Sequence, residues 1–219
     1  MGTVLAAMTA RSDLLGVTSF VRALGLKKSS YERMLALFHS PALDLKKLTQ
    51  LWIQVIQKIQ PGILQINGRK VIVGDGIKVA KSGKRMPAVK RLHQQSDSNT
   101  KPSYIMGHSC QAVAILAGVF NTIFAIPLAA RIHEGVIFNN NDKRTLLDKM
   151  VVLVNSLGLP DPFYFVADAY YTAGKVVGGL IEKNNHLISR VKKNAVAYEQ
   201  PPKLDGPRGE GTILSHGNN

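Results

Sequence analysis

Val71-Ile72-Val73-Gly74-Asp75-Gly76-Ile77-Lys78-Val79 decides how the rest of the chain is read. An apolar run delivers one aspartate and then continues in strand-like alternation. A basic segment follows, with Lys78, Lys81, Lys84, Arg85, Lys90, Arg91 and Lys101 against a single acid, Asp97. The same design returns in Phe163-Tyr164-Phe165-Val166-Ala167-Asp168-Ala169-Tyr170-Tyr171, again a short apolar run with an aspartate near its end. Two strand-borne aspartates in a basic chain fit metal-dependent chemistry on phosphodiesters, since hard carboxylate oxygens suit a hard divalent cation. Structural readings compete. Asp-Gly is a strong turn signal, so Gly74-Asp75-Gly76 also reads as a hairpin tip. Asp168 also reads as the N-cap of a following helix. The two aspartates are 168 − 75 = 93 positions apart, so spacing alone does not bring them together.

Composition narrows the partners. The chain has 219 residues, room for one large domain or a domain with a small appendage. A hydrophobic content of 45% with mean hydropathy near zero describes a folded globule. The formal charge is 28 − 14 = +14, with a pI of about 10.0. Such a surplus points to a polyanion, because lysine and arginine release counterions from nucleic-acid phosphates on binding. A lone cysteine, Cys110, excludes an internal disulfide and a cysteine zinc site, and fits a reducing, cytoplasmic compartment. Residues 111–130 carry no charge, but Gly118, Asn121, Thr122 and Pro127 interrupt them. Two buried strands joined at Asn121-Thr122 fit better than a membrane span. Residues 74–84 lack the Gly-x₄-Gly-Lys-Ser/Thr form, which excludes a phosphate-binding P-loop. His93, His108 and His133 have no ligand spacing to one another.

The pattern along the chain divides it near residue 62. Residues 1–62 read as three or four short helices. Ser29-Ser30-Tyr31-Glu32 has the form of a capping box, and Asp44 is placed to cap a helix whose apolar stripe is Leu45, Leu48, Trp52, Val55, Ile56 and Ile59. With Lys27, Lys28, Arg33, Lys46 and Lys47 outside, this region reads either as a DNA-binding module or as a packing or dimerisation arm. Strands are expected over 70–79, 104–116, 123–133, 163–168 and 186–197, the last with Arg190, Lys192 and Lys193. Residues 80–103 read as a basic loop. A helix is expected from a cap at Asn141 or Asp142 to Leu157, and another over 172–183, weakened by Gly178-Gly179. Residues 201–219 read as a flexible polar tail. The resulting β-β-β-α-β-α-β order is that of a ribonuclease H-like α/β domain over 63–200, a mixed sheet preceded by a small helical region.

Val73-Gly74-Asp75-Gly76 with its basic follow-on, Met106-Gly107-His108, Arg131-Ile132-His133-Glu134-Gly135 and Val166-Ala167-Asp168-Ala169-Tyr170-Tyr171 carry a resemblance. In their order and spacing they resemble the DDE transposases of bacterial insertion sequences, within the broad insertion-sequence-4-like group. The resemblance implies that Asp75 and Asp168 are catalytic and hold two divalent ions, Mg²⁺ or alternatively Mn²⁺. It also implies cleavage of double-stranded DNA at transposon ends and strand transfer into a target. Lys78, Lys81, Lys84, Arg85, Lys90, Arg91, Arg190, Lys192 and Lys193 are the expected DNA contacts. A bacterial, nucleoid-associated location, no membrane and a possible homodimer go with this reading. The family's third acid, a glutamate on a helix beyond the last strand, has no matching position: Glu134, Glu182, Glu199 and Glu210 all lie in other settings. The chain therefore reads as a fragment lacking that acid. Two alternatives stand beside catalysis: a non-catalytic DNA-binding competitor, and a ribonuclease H-like nuclease without transposition.

Overall fold

A computed structural model describes residues 2–12, 16–59, 62–81, 83, 86–93, 102–133 and 144–191. Four helices come first: α1 (Gly2–Ala10), α2 (Val17–Ala23), α3 (Ser29–His39) and α4 (Leu45–Ile59). Five strands follow: β1 (Gln65–Ile66), β2 (Arg69–Ala80), β3 (Lys90–His93), β4 (Tyr104–Val119) and β5 (Thr122–His133). Then come α5 (Leu146–Asn155), β6 (Phe163–Val166), α6 (Gly174–Ile181) and β7 (His186–Ile188).

One mixed sheet organises the strands. β4 pairs antiparallel with β2, β2 pairs parallel with β6, and β6 pairs parallel with β7. The far side of β4 carries both β3, along residues 104–107, and β5, along residues 109–119. Three antiparallel strands, a helix, and a strand returning parallel beside the first are the expected ribonuclease H-like arrangement. The uncharged stretch expected to form two strands does so as β4 and β5, with Phe120 and Asn121 at positive φ in the turn between them. Among the described residues no helix is long and apolar enough to cross a membrane.

The main core lies where α4, α5 and α6 meet the sheet. Ile72, Val113, Ile115 and Phe165 from the strands pack with Met150, Leu153 and Val154 of α5, Val176 and Leu180 of α6, and Ile53 and Ile56 of α4. Gly178-Gly179 does not break α6. A Cβ on Gly179 would stand 2.6 Å from a Val151 methyl, so this glycine is where α6 crosses α5 closely. The core thus draws on α4 from across the expected boundary near residue 62. The first three helices gather around a smaller cluster of their own: Val4, Ala7, Phe20 and Met34.

Several local expectations are corrected. Gly74-Asp75-Gly76 is not a turn, because β2 runs unbroken through it. The tight hairpin lies earlier, at Asn67-Gly68, where both residues take the positive φ such turns require. Ser29 does not cap α3. Lys28 is already helical, and the Ser30 and Tyr31 amides bond the carbonyls of Lys27 and Lys28, leaving Ser29 inside the first turn. The cap of α5 is Thr145, neither Asn141 nor Asp142. Thr145 Oγ1 accepts from the Asp148 amide, and Asp148 Oδ2 accepts from the Thr145 amide at 2.7 Å, a closed capping box. The expected loop over 80–103 contains β3, and the last strand ends at Ile188. The stripe of α4 is turned away from the sheet. Leu45, Leu48, Trp52, Val55 and Ile59 are exposed, and of the expected stripe Ile56 is buried, together with Ile53 beside it. Trp52 Nε1 bonds the Pro127 carbonyl at 2.7 Å on β5, which holds the helix in that rotation. The Asp44 cap forms as expected, with Oδ1 accepting from the Lys46 and Lys47 amides.

Candidate active site

Asp75 lies within β2, opposite Ala112 of β4. On its other side β2 is in parallel register with β6, Val73 facing Val166. Asp75 stands two residues further along β2, and Asp168 two residues past Val166, beyond the end of β6. Both aspartates thus follow the last paired residues of the β2–β6 ladder, Val73 and Val166, by two positions. Ile188 of β7 is level with Val166, and Arg190 follows two residues past the end of β7. The carboxyl ends of parallel strands are where open α/β sheets commonly place ligands.

The glycines around Asp75 provide space. A Cβ on Gly74 would stand 2.5 Å from the Phe165 ring, so β2 and β6 interlock only with a bare backbone at this point. A Cβ on Gly76 would stand 3.3 Å from the Tyr171 hydroxyl, tighter than ordinary contact. The Gly76 amide donates to Asp75 Oδ1 at 2.6 Å. Asp168 follows β6 and caps a single 3-10 turn, Ala169–Tyr171, its Oδ1 accepting from the Tyr170 amide at 3.1 Å. The capping job read from the sequence is thus present. It occupies one carboxylate oxygen and leaves the other available.

That turn separates the two tyrosines. Tyr170 is exposed, whereas Tyr171 is buried, and their rings meet edge to face. Burial pushes the Tyr171 hydroxyl up to about 12. A hydrogen bond from Gln111 opposes the shift, and the charges of Asp75 and Asp168 add to it. Other described acids are engaged elsewhere: Asp161 pairs with Lys70 at 2.8 Å and Asp148 with Lys175 at 2.9 Å. Glu182 is at the carboxyl end of α6. Glu134, Glu199 and Glu210 lie outside the described residues.

The expected DNA contacts divide. Lys78 and Lys81 are exposed along and just past β2, beyond Asp75, and Lys78 Nζ donates to the His93 carbonyl at 2.7 Å. Arg91 is exposed on β3 and stacks 4.0 Å over the Tyr104 ring. Lys90 is half-buried, and burial followed by the nearby Lys149 charge lowers its pKa. Arg190 is exposed at the end of the parallel strands. Lys84, Arg85, Lys192 and Lys193 lie outside the described residues. Sequence reasoning missed Gln111 as a site neighbour. The available signal was an amide interrupting an apolar strand, a polar group that must find partners when buried.

Residues 5–215 match the sequence profile of the DDE superfamily endonucleases. The chain belongs to that superfamily. No curated protein sequence matches it. Among solved structures, a cryo-electron microscopy structure of the piggyBac transposase synaptic complex with hairpin DNA is 15% identical, with a TM-score of 0.42, covering 89% of this chain and 41% of its own. The Mos1 mariner paired-end complex with Mn is 14% identical, with a TM-score of 0.27, covering 86% of this chain and 58% of its own. A second Mos1 transposase complex, with the left transposon end, is 12% identical, with a TM-score of 0.24, covering 85% and 57%. This chain thus spans between two fifths and three fifths of the length of these transposases. Asp75 and Asp168 have donors of the right chemistry for a divalent cation. Each carboxylate receives a backbone N–H at Oδ1. Among the described residues no third histidine, cysteine, aspartate or glutamate joins them.

Proposed function

We propose that this chain carries the catalytic core of a DNA transposase, cutting DNA at transposon ends and joining it to a target with the help of divalent cations. The observation that supports this most is the parallel register of β2 and β6, from whose last pair, Val73 and Val166, Asp75 and Asp168 each stand two residues on. Asp75 and Asp168 would hold Mg²⁺ or Mn²⁺, and the chemistry such ions supply is polarisation of the attacking and leaving oxygens of a phosphodiester. The protein's own groups do the rest. Lys78 and Lys81 would take backbone phosphates on the β2 side, Arg91 those along β3, and Arg190 those beside Asp168, so the DNA is held across the strand ends. The exposed Tyr170 offers a ring on which a base can stack.

The test is nicking of terminal-repeat duplexes in Mg²⁺ or Mn²⁺. Asp75→Asn and Asp168→Asn should each lower the rate by about 100-fold or more, the scale of losing a group that acts on transition-state charge, while duplex binding persists. Binding without any metal-dependent nicking in the parent chain would leave a DNA-binding competitor in place of an enzyme.

A further inference from the structure

A cavity of about 510 Å³ lies between α4, α5 and the end of β5. Its cations come from four places in the chain: Lys46 from the start of α4, Arg131 from β5, Arg144 from just before α5, and Lys149 from α5 itself. On α5 the lining residues Lys149, Val152, Leu153 and Ser156 keep the three- and four-residue spacing of one helix face. Among the described residues none of the lining is a carboxylate. The acids nearest in sequence are committed. Asp44 caps α4, and Asp148 pairs with Lys175 at 2.9 Å.

Strand register fixes which side of the sheet this is. Side chains directly opposite on paired strands share a face, and successive residues alternate. Gln111 stands opposite both Arg131 of β5 and Gly76 of β2, and Ser109 opposite His133, which is 6% exposed and also lines the cavity. Gln111 bonds the Leu146 carbonyl at the head of α5 at 2.8 Å, so this is the face that the helices cover. Asp75, opposite Ala112, is one step out of phase and takes the other face. Lys90, opposite Gly107, is on the helix side, where burial and then the Lys149 charge lower its pKa. Gathered like charges repel, and a bound anion relieves that repulsion.

We propose that this cavity is a second DNA-binding surface, in which Lys46, Arg131, Arg144 and Lys149 hold the phosphates of a segment separate from the one at Asp75 and Asp168. The sheet stands between the two places. Clefts of about 300–1,000 Å³ accept small-molecule-sized groups, so a phosphate enters with its sugar. Lysine and arginine are the side chains suited to phosphate oxygens. The inference rests on the reading of this chain as an enzyme acting on DNA. It adds to that reading a surface on the opposite side of the sheet from Asp75.

The number of short fluorescein-labelled duplexes bound per chain, measured by sedimentation of the whole protein, tests it without reference to cleavage. The parent chain should bind two, and Lys46→Gln/Arg131→Gln only one. Should that variant fail to fold, Arg144→Gln/Lys149→Gln removes charge from the other wall and should also leave one. Arg131→Gln alone should make the log–log salt dependence of the weaker binding step shallower by about 1. Lys58→Gln/Lys183→Gln removes two exposed cations elsewhere and should leave two duplexes bound. One duplex on the parent chain, or two on every folded cavity variant, overturns the second surface and leaves DNA binding on the Asp75 side. A loss in Lys58→Gln/Lys183→Gln equal to that in the cavity variants overturns it as well, in favour of net charge alone. A parent chain that binds no duplex removes the underlying reading, and the second surface with it.

Discussion

Asp75 and Asp168 are placed against the sheet by opposite means. β2 carries Asp75 in mid-strand and runs on to Ala80, bonded to β4 throughout. β6 stops at Val166, and Asp168 sits past the ladder, at the head of a turn that it caps itself. The first aspartate is placed by its neighbours' lack of side chains, the second by its own hydrogen bond. One position is therefore sensitive to volume added nearby, and the other to the chemistry of the residue itself.

Substitutions can break or sharpen that contrast. The largest effect should come from the interlock beside Asp75. Phe165→Ala should cost about 3–5 kcal/mol in urea unfolding, and Gly74→Ala about 1–3 kcal/mol by overpacking. In the Phe165→Ala background the Gly74→Ala penalty should all but vanish; a penalty that simply adds would mean the ring and the glycine do not meet. A smaller effect separates the aspartates themselves. Asp168→Ala removes a cap and should cost about 1 kcal/mol, whereas Asp75→Ala should stay within about 0.5 kcal/mol. Equal losses would erase the distinction drawn here.

The smallest effect concerns acid. The Thr145 hydroxyl, then Lys175 and the Thr145 amide, hold the Asp148 carboxyl down at about 2, from an ordinary 3.8. Its folded value is depressed, so its contribution is complete above pH 3.8 and is lost as pH falls towards 2. Asp148→Asn should flatten the fall of thermal midpoint across that window. A slope identical to that of the parent chain would show that this box carries no linked stability.

Much of the sheet could be read in advance because strand alternation and the breaks at Gly158-Leu159-Pro160 and Asn121-Thr122 are local signals. Asp75 and Asp168 were visible for the same reason, each ending a short apolar run. Turn chemistry misled at Gly74-Asp75-Gly76, where glycine serves packing against Phe165, a partner that register alone supplies. Thr145 and Asp148 did carry a capping signature, but earlier polar residues competed with it. Helical periodicity located α4 correctly yet not its rotation, which depends on a Trp52 bond to a carbonyl 75 residues away. Gln111 and Tyr171 were illegible as a pair because their meeting requires the assembled sheet.

The parallel pairing of β2 with β6 has a consequence for how the chain comes off the ribosome. Lys70 faces Phe163, a partner made 163 − 70 = 93 residues later. Until then β2 can close only with β1 and β4, and its other edge offers bare backbone donors and acceptors to any passing strand. A nascent chain arrested before Phe163 would carry Asp75 already in place but no second carboxylate. Such a product would be prone to clump.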